Sequence, residues 1–154
     1  MKYVFLLSLL LVVGNVFSQK NITRSELQNG DLLFVGVFKE SLSGAINRVT
    51  QRNDKQMYDH VAILEKTPGS TFYVLESSPK KGSVREILDS FYLPKKDNRL
   101  IAVYRLYPDY QYSIPKAITQ AKQLLGKPYN WSYVLNENSY YCSDFVERAF
   151  RFDT

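Results

Sequence analysis

The chain has 154 residues, a usual size for one domain, and 45% of them are hydrophobic, enough for a real core. Twelve Tyr and nine Phe argue for a packed sheet and against a disordered chain. The net charge of +5 is modest, and its basic residues are scattered apart from Lys80-Lys81 and Lys95-Lys96. That pattern argues against a nucleic-acid partner and fits an acidic polymer, a nearby anionic membrane surface or no specific partner equally well.

Residues 1–18 do not read as part of the fold. Lys2 gives a short positive start, and Val4 to Val13 is an apolar run broken only by Ser8. Val16-Phe17-Ser18 then ends in a small residue before polar Gln19-Lys20-Asn21. This is the shape of a secretory signal peptide, cleaved near Ser18, with an uncleaved anchor as the alternative. No cysteine follows the run, so lipoprotein processing is not available. Residues 19–154 are therefore expected to be exported, periplasmic or extracellular, as a single domain and a monomer. One cysteine allows no internal disulfide, so the core must supply the stability.

Gly30-Asp31 leads into Leu32–Phe38, a buried strand by its apolar content. Leu42, Ala45, Ile46 and Val49 recur at helical spacing over 41–50, and Gln51 to Gln56 reads as a loop. Tyr58–Leu64 and Thr71–Leu75 are strand-like runs around Pro68-Gly69-Ser70, a hairpin signal. Ser83-Val84-Arg85-Glu86 matches a capping box, which predicts a short helix burying Ile87, Leu88 and Phe91. Leu100–Leu106 is a further strand.

A longer helix follows, with Ser113 as cap, Pro115 in the first turn and apolar residues from Ile114 to Leu125 at three- and four-residue steps. Gly126 ends it and Pro128 prevents continuation. Phe145, Val146, Ala149 and Phe150 predict a last helix beginning at or just before Cys142. The chain stops at Thr154, barely past that helix, where more structure is expected, so it reads either as a fragment cut short at its C-terminus or as a domain that ends naturally short. The whole is an α+β domain with a mostly antiparallel sheet.

Cys142 is the only cysteine and His60 the only histidine. At a helix N-terminus the free N–H groups and the helix dipole favour a thiolate, the nucleophilic form. The bland alternative is a small buried apolar residue. Strand alternation puts His60 on one face with Ala62 and Leu64, where a facing cysteine helix would let it hold the thiolate and protonate a leaving amine. The base needs a partner on its other nitrogen. Counted from the turn at Pro68-Gly69, Glu76 lies nearly opposite His60 and is the best carboxylate; Asp31 is a second choice, and Asp59 points to the other face. One cysteine and one histidine cannot build a usual zinc site, so no metal is expected. No phosphate-cradling glycine motif appears, and no cofactor is expected.

Gly30-Asp31-Leu32, Asp59-His60-Val61-Ala62-Ile63, Val74-Leu75-Glu76, Gly126-Lys127-Pro128-Tyr129-Asn130 and Tyr140-Tyr141-Cys142-Ser143-Asp144-Phe145-Val146 occur in that order. This resembles the circularly permuted NlpC-type papain-like cysteine hydrolases, in particular the YiiX-like branch, in which the histidine precedes the cysteine. The resemblance implies a small antiparallel sheet or half-barrel packed on helices, with the nucleophile at a helix N-terminus. It implies Cys142 as nucleophile, His60 as base and Glu76 as third member. Tyr141, Tyr129 and Asp31 become candidates for the oxyanion site or substrate pocket. It further implies hydrolysis of a peptide or acyl-amide substrate, with cell-wall peptides preferred. Related permuted members act on N-acyl or ester bonds of lipids, and the cluster Tyr129, Trp131, Tyr133, Tyr140 and Tyr141 would suit such a groove or simply belong to the core. A binding module that kept the fold and lost turnover is the remaining alternative.

Overall fold

A computed structural model describes residues 23–36, 58–92 and 101–151. The signal peptide expected over 1–18, the helix expected over 41–50, the loop expected after it and residues 37–38 of the expected first strand lie outside the described residues. Five antiparallel strands form one sheet: β1 (Leu32–Gly36), β2 (Tyr58–Lys66), β3 (Phe72–Ser78), β4 (Gly82–Ile87) and β5 (Ile101–Tyr104), in the order β4-β3-β2-β1-β5. Three helices accompany them: α1 (Leu88–Tyr92), α2 (Ile114–Gln123) and α3 (Cys142–Phe150).

The sheet is buried on both faces, which is why its central strands read as continuous apolar runs rather than strict alternation. On one face Ile63 and Leu75 pack against Ile114, Ile118 and Ala121 of α2 and Phe145 and Ala149 of α3. On the other, Ala62, Leu64 and Val74 pack against Leu27, Leu33, Phe72 and Leu88. Both helices were expected, and their apolar stripes are the ones buried here.

The hairpin at Pro68-Gly69-Ser70 is present, closed by Thr67 N–H on Thr71 O at 2.9 Å. Its register pairs Ile63 with Leu75, so His60 and Glu76 are diagonal neighbours on one face.

Two local readings are corrected. Ser83-Val84-Arg85-Glu86 is not a capping box; it is β4, paired with β3 from Ser78↔Gly82 to Tyr73↔Ile87. Ser83 Oγ donates to Leu124 O (2.8 Å) and Lys127 O (3.1 Å) and accepts from Lys127 N–H (2.8 Å). Those tertiary bonds outcompete the local cap, and Ile87 ends up exposed rather than on a buried stripe. Ser113 does stand at the N-cap position of α2, but its hydroxyl makes no cap bond: it also ends a 3-10 turn over Pro108–Ser113, and the hydroxyl donates to Tyr110 O at 2.7 Å.

Gly82 and Gly126 hold this junction together. Gly82 has φ +68, and a Cβ there would come within 2.3 Å of Lys127 O. Gly126 (φ +83) ends α2 in the left-handed turn and returns its N–H to Ser83 O at 2.8 Å. The segment leaving α2 is thereby pinned to β4, which fixes where the loop towards α3 begins.

Candidate active site

The β2–β3 ladder stops at Ile63↔Leu75. Beyond it, β2 continues along β1 to Tyr58 and β3 continues along β4 to Ser78. The two strands therefore fork, and the chain entering α3 is tied into that fork. Ser77 Oγ donates to Tyr140 O at 2.6 Å. Asn130 N–H also donates to Tyr140 O (3.0 Å), and Tyr140 N–H returns to Pro128 O (3.2 Å). Tyr140 is itself buried in the core. With Tyr140 fixed, Tyr141 becomes the extended cap residue and Cys142 the first residue of α3.

This corrects one step in the expected geometry. Alternation puts His60 and Glu76 on the face of Ala62 and Val74, whereas α3 packs on the face of Ile63 and Leu75. Histidine and cysteine helix belong to opposite faces and meet only because the ladder opens between them.

His60 Nε2 and Glu76 Oε2 are 2.5 Å apart, with side-chain exposures of 13% and 4%. The ring also hydrogen-bonds the Cys142 thiol. Each imidazole nitrogen offers one in-plane bonding direction, so with Nε2 on Glu76 it is Nδ1 that is left to serve Cys142. Burial pulls the His60 pKa down, but the bonds and charges of Cys142 and Glu76 outweigh it and push it up to about 9. Burial likewise raises the Cys142 thiol, and is outweighed by His60 and by the N–H groups of Val61 and Ser143, so its pKa falls below the ordinary 9.0. Glu76 is held below the usual carboxylate range because its bond to His60 overcomes its own burial. All three directions favour a thiolate–imidazolium pair braced by a carboxylate.

The remaining candidates separate. The Tyr129 hydroxyl hydrogen-bonds Cys142 and Tyr133, and burial first, then these neighbours, raise its pKa, so it stays a protonated donor beside the sulfur. The Tyr141 ring leans on Tyr133 at 5.3 Å between centroids and forms a wall. Asp31 lies outside the site. It is fully buried before β1 and held by Arg105 Nε (2.7 Å), Arg105 Nη2 (2.9 Å) and Gln28 N–H (2.8 Å). Its neighbour across the strands is Leu64, four residues from His60, about 13 Å along β2.

Sequence reasoning missed Ser77, which seats Tyr140, and Glu86, which touches Glu76. Glu86 was hidden by the capping-box reading; the period-2 pattern of a strand over 82–87 would have put it on the face of Glu76.

A thiol, an imidazole and a carboxylate in series at a helix start, beside an antiparallel sheet, define the papain-like class of site. The sequence matches the family described as "Permuted papain-like amidase enzyme, YaeF/YiiX, C92 family" over residues 26–154, and the chain belongs to that family. Among solved structures it is similar to the metalloprotein yiiX from Escherichia coli O157:H7, at 24% identity and a TM-score of 0.57. The likeness covers 80% of this chain and 64% of that one, so the chain spans about two thirds of that protein's length. A search of curated proteins finds no significant match. That neighbour is described as a metalloprotein, but the donors here do not fit a metal ion. Both His60 nitrogens are engaged, and among the described residues no group of three or more His, Cys, Asp or Glu is arranged to hold one.

Proposed function

We propose that this permuted papain-like amidase is an exported cysteine hydrolase that cleaves amide bonds in cell-wall peptides. The observation that carries the hydrolytic part is the His60 ring bridging Glu76 and the Cys142 thiol at the start of α3. The apolar Val4–Val13 run supports export, and export supports the cell wall as the place of action.

In this reading the Cys142 thiolate attacks the amide carbonyl. The negative oxygen that develops lies near the α3 N-terminus and the Tyr129 hydroxyl, both of them donors. His60, charged at the outset, gives its Nδ1 proton to the departing amine as the C–N bond breaks. A thioester on Cys142 remains. Water then attacks it, His60 takes the water proton, and the carboxylic acid leaves with the thiolate restored. Glu76 keeps the ring in one orientation and stabilises its charge throughout.

Replacing Cys142 with Ala is the direct test. The parent should release free carboxyl and amino ends from muropeptides, and the variant should release none above the uncatalysed background. A variant as fast as the parent would end this mechanism.

One observation favours a second substrate. Trp131, Tyr133, Val134 and Leu135 are exposed on the loop that follows Tyr129. Exposed apolar residues beside a nucleophile suit an acyl chain, and hence an N-acyl lipid amide. Product analysis with both substrate types separates the two readings.

A further inference from the structure

Behind the Cys142–His60–Glu76 series stands a second carboxyl group that the reaction above does not use. Register pairs Val74 with Glu86 and Glu76 with Val84, so Glu76 and Glu86 project from the same face of β3 and β4 as diagonal neighbours. Each carboxyl group shifts the other's titration, and Ser78 acts on Glu76 as well. On its other side Glu86 Oε2 meets Lys81 Nζ at 2.6 Å. Exposure grades along this series, from 49% for the Lys81 side chain to 14% for Glu86 and 4% for Glu76. A buried carboxylate with one oxygen on an imidazolium needs something to fix its rotation. Glu86 occupies that place.

We propose that Glu86 is a positioning residue for the Cys142–His60 pair, acting through Glu76, and that Lys81 seats Glu86. This rests on the reading of Cys142 and His60 as a working pair. Two carboxyl groups bond each other only by sharing a proton. Burial and the Glu76 charge raise the Glu86 pKa, although Lys81 opposes them, while Glu76 is lowered, so of the two carboxyl groups Glu86 takes a proton more readily. A proton on Glu86 can be donated towards Glu76, which leaves the Glu76 charge to His60. The groups facing this pair are His60 from β2, Ser78 from β3 and Lys81 from the β3–β4 turn. From α1, Phe91 lies against the His60 ring, with centroids 6.2 Å apart, and Asp89 is paired with Arg24.

The test uses the single histidine. NMR titration of the His60 imidazole in the intact chain reads its proton affinity without any substrate, and alkylation of Cys142 by iodoacetamide against pH reads the thiolate. Glu86→Ala, and Glu86→Asp, which keeps the carboxyl group but is one methylene too short, should lower the His60 midpoint by about one unit, a tenfold loss of proton affinity. Glu86→Gln, whose amide donates permanently, should restore most of that shift. A purely structural Glu86 would lower the melting temperature in these variants and leave the His60 midpoint unmoved. Alanine and aspartate variants titrating like the parent, or a glutamine variant shifted as far as alanine, would overturn the proposal. If the alanine variant does not fold, the aspartate and glutamine variants decide alone. Absence of hydrolysis on every substrate, with the titration shifts intact, would remove the functional reading and leave the positioning role standing.

Discussion

His60 is the residue on which the site turns, because its two neighbours reverse what burial alone would do. A buried histidine with no partner would be neutral at pH 7. Here its pKa is pushed up to about 9 while the Cys142 thiol falls below 9.0. The sign then follows. The thiolate forms once pH passes the depressed thiol value, and the imidazolium survives until pH passes about 9, so the ion pair occupies the interval between. Hydrolysis, which needs the imidazolium to protonate the leaving amine, should decline on the alkaline side through about pH 9, and a pH–rate profile checks this. Glu76→Gln removes the adjacent charge. It should move the His60 midpoint down towards its ordinary 6.5 and cut the rate by about 100-fold, seen by NMR and by steady-state kinetics. The pairing of these residues was legible in the sequence because each is chemically singular: one thiol, one imidazole, and a carboxylate at a countable distance from a turn. Glu86 was not, because its strand carried a helix-cap pattern.

At the scale of elements, the β4–α2 junction decides where the active-site loop starts. Ser83 is buried, and its hydroxyl makes three hydrogen bonds to the chain around Leu124 and Lys127. Ser83→Ala takes these bonds from Leu124 O and Lys127 N–H, while Lys127 O keeps the Ser83 N–H, and should cost about 1–3 kcal/mol, measured by denaturant unfolding. Gly82→Ala should cost a similar amount, about 1–3 kcal/mol, since its φ is positive and the new Cβ would strike Lys127 O. Both losses should appear as stability first, with activity per folded molecule nearly kept. The strands and the two long helices could be read in advance from period and punctuation. The Ser83 segment could not, because a Ser-x-x-Glu pattern is short, and three hydrogen bonds to residues forty positions away outweigh one local cap.

At the scale of the whole molecule, the loop between α2 and α3 is rigid where it matters and apolar where it faces outward. Asn130 is buried and braces the loop: its Nδ2 donates to Val134 O at 2.7 Å, and its Oδ1 accepts from Ser132 N–H at 3.0 Å. Arg148 of α3 ties down the far end through Asn136 O (3.0 Å) and Glu137 (2.7 Å). The result holds Trp131, Tyr133, Val134 and Leu135 out into solvent, with Trp131 against Tyr129 and Tyr133 against Tyr141. Replacing Trp131 and Leu135 together with Ser should leave muropeptide cleavage nearly unchanged. If acyl substrates are used, the same change should raise their KM by about tenfold, from roughly 1.5 kcal/mol of lost apolar contact. Equal losses on both substrates would count against a separate acyl surface.

The sequence by itself determined the class of domain, the order of its main strands and helices, and the rare side chains from which the candidate site is built. Those depend on local period, on turn residues and on rare side chains, all of which are written along the chain. What only the tertiary structure decided is how the site closes. His60 and α3 lie on opposite faces of the sheet, and they meet because the β2–β3 ladder ends at Ile63 and Leu75 and Ser77 draws Tyr140 into the opening. The removal of Asp31 from the site and the arrival of Glu86 beside Glu76 have the same origin. Each is a contact between residues distant in sequence, and no local pattern encodes which of several buried carboxyl groups will find the histidine.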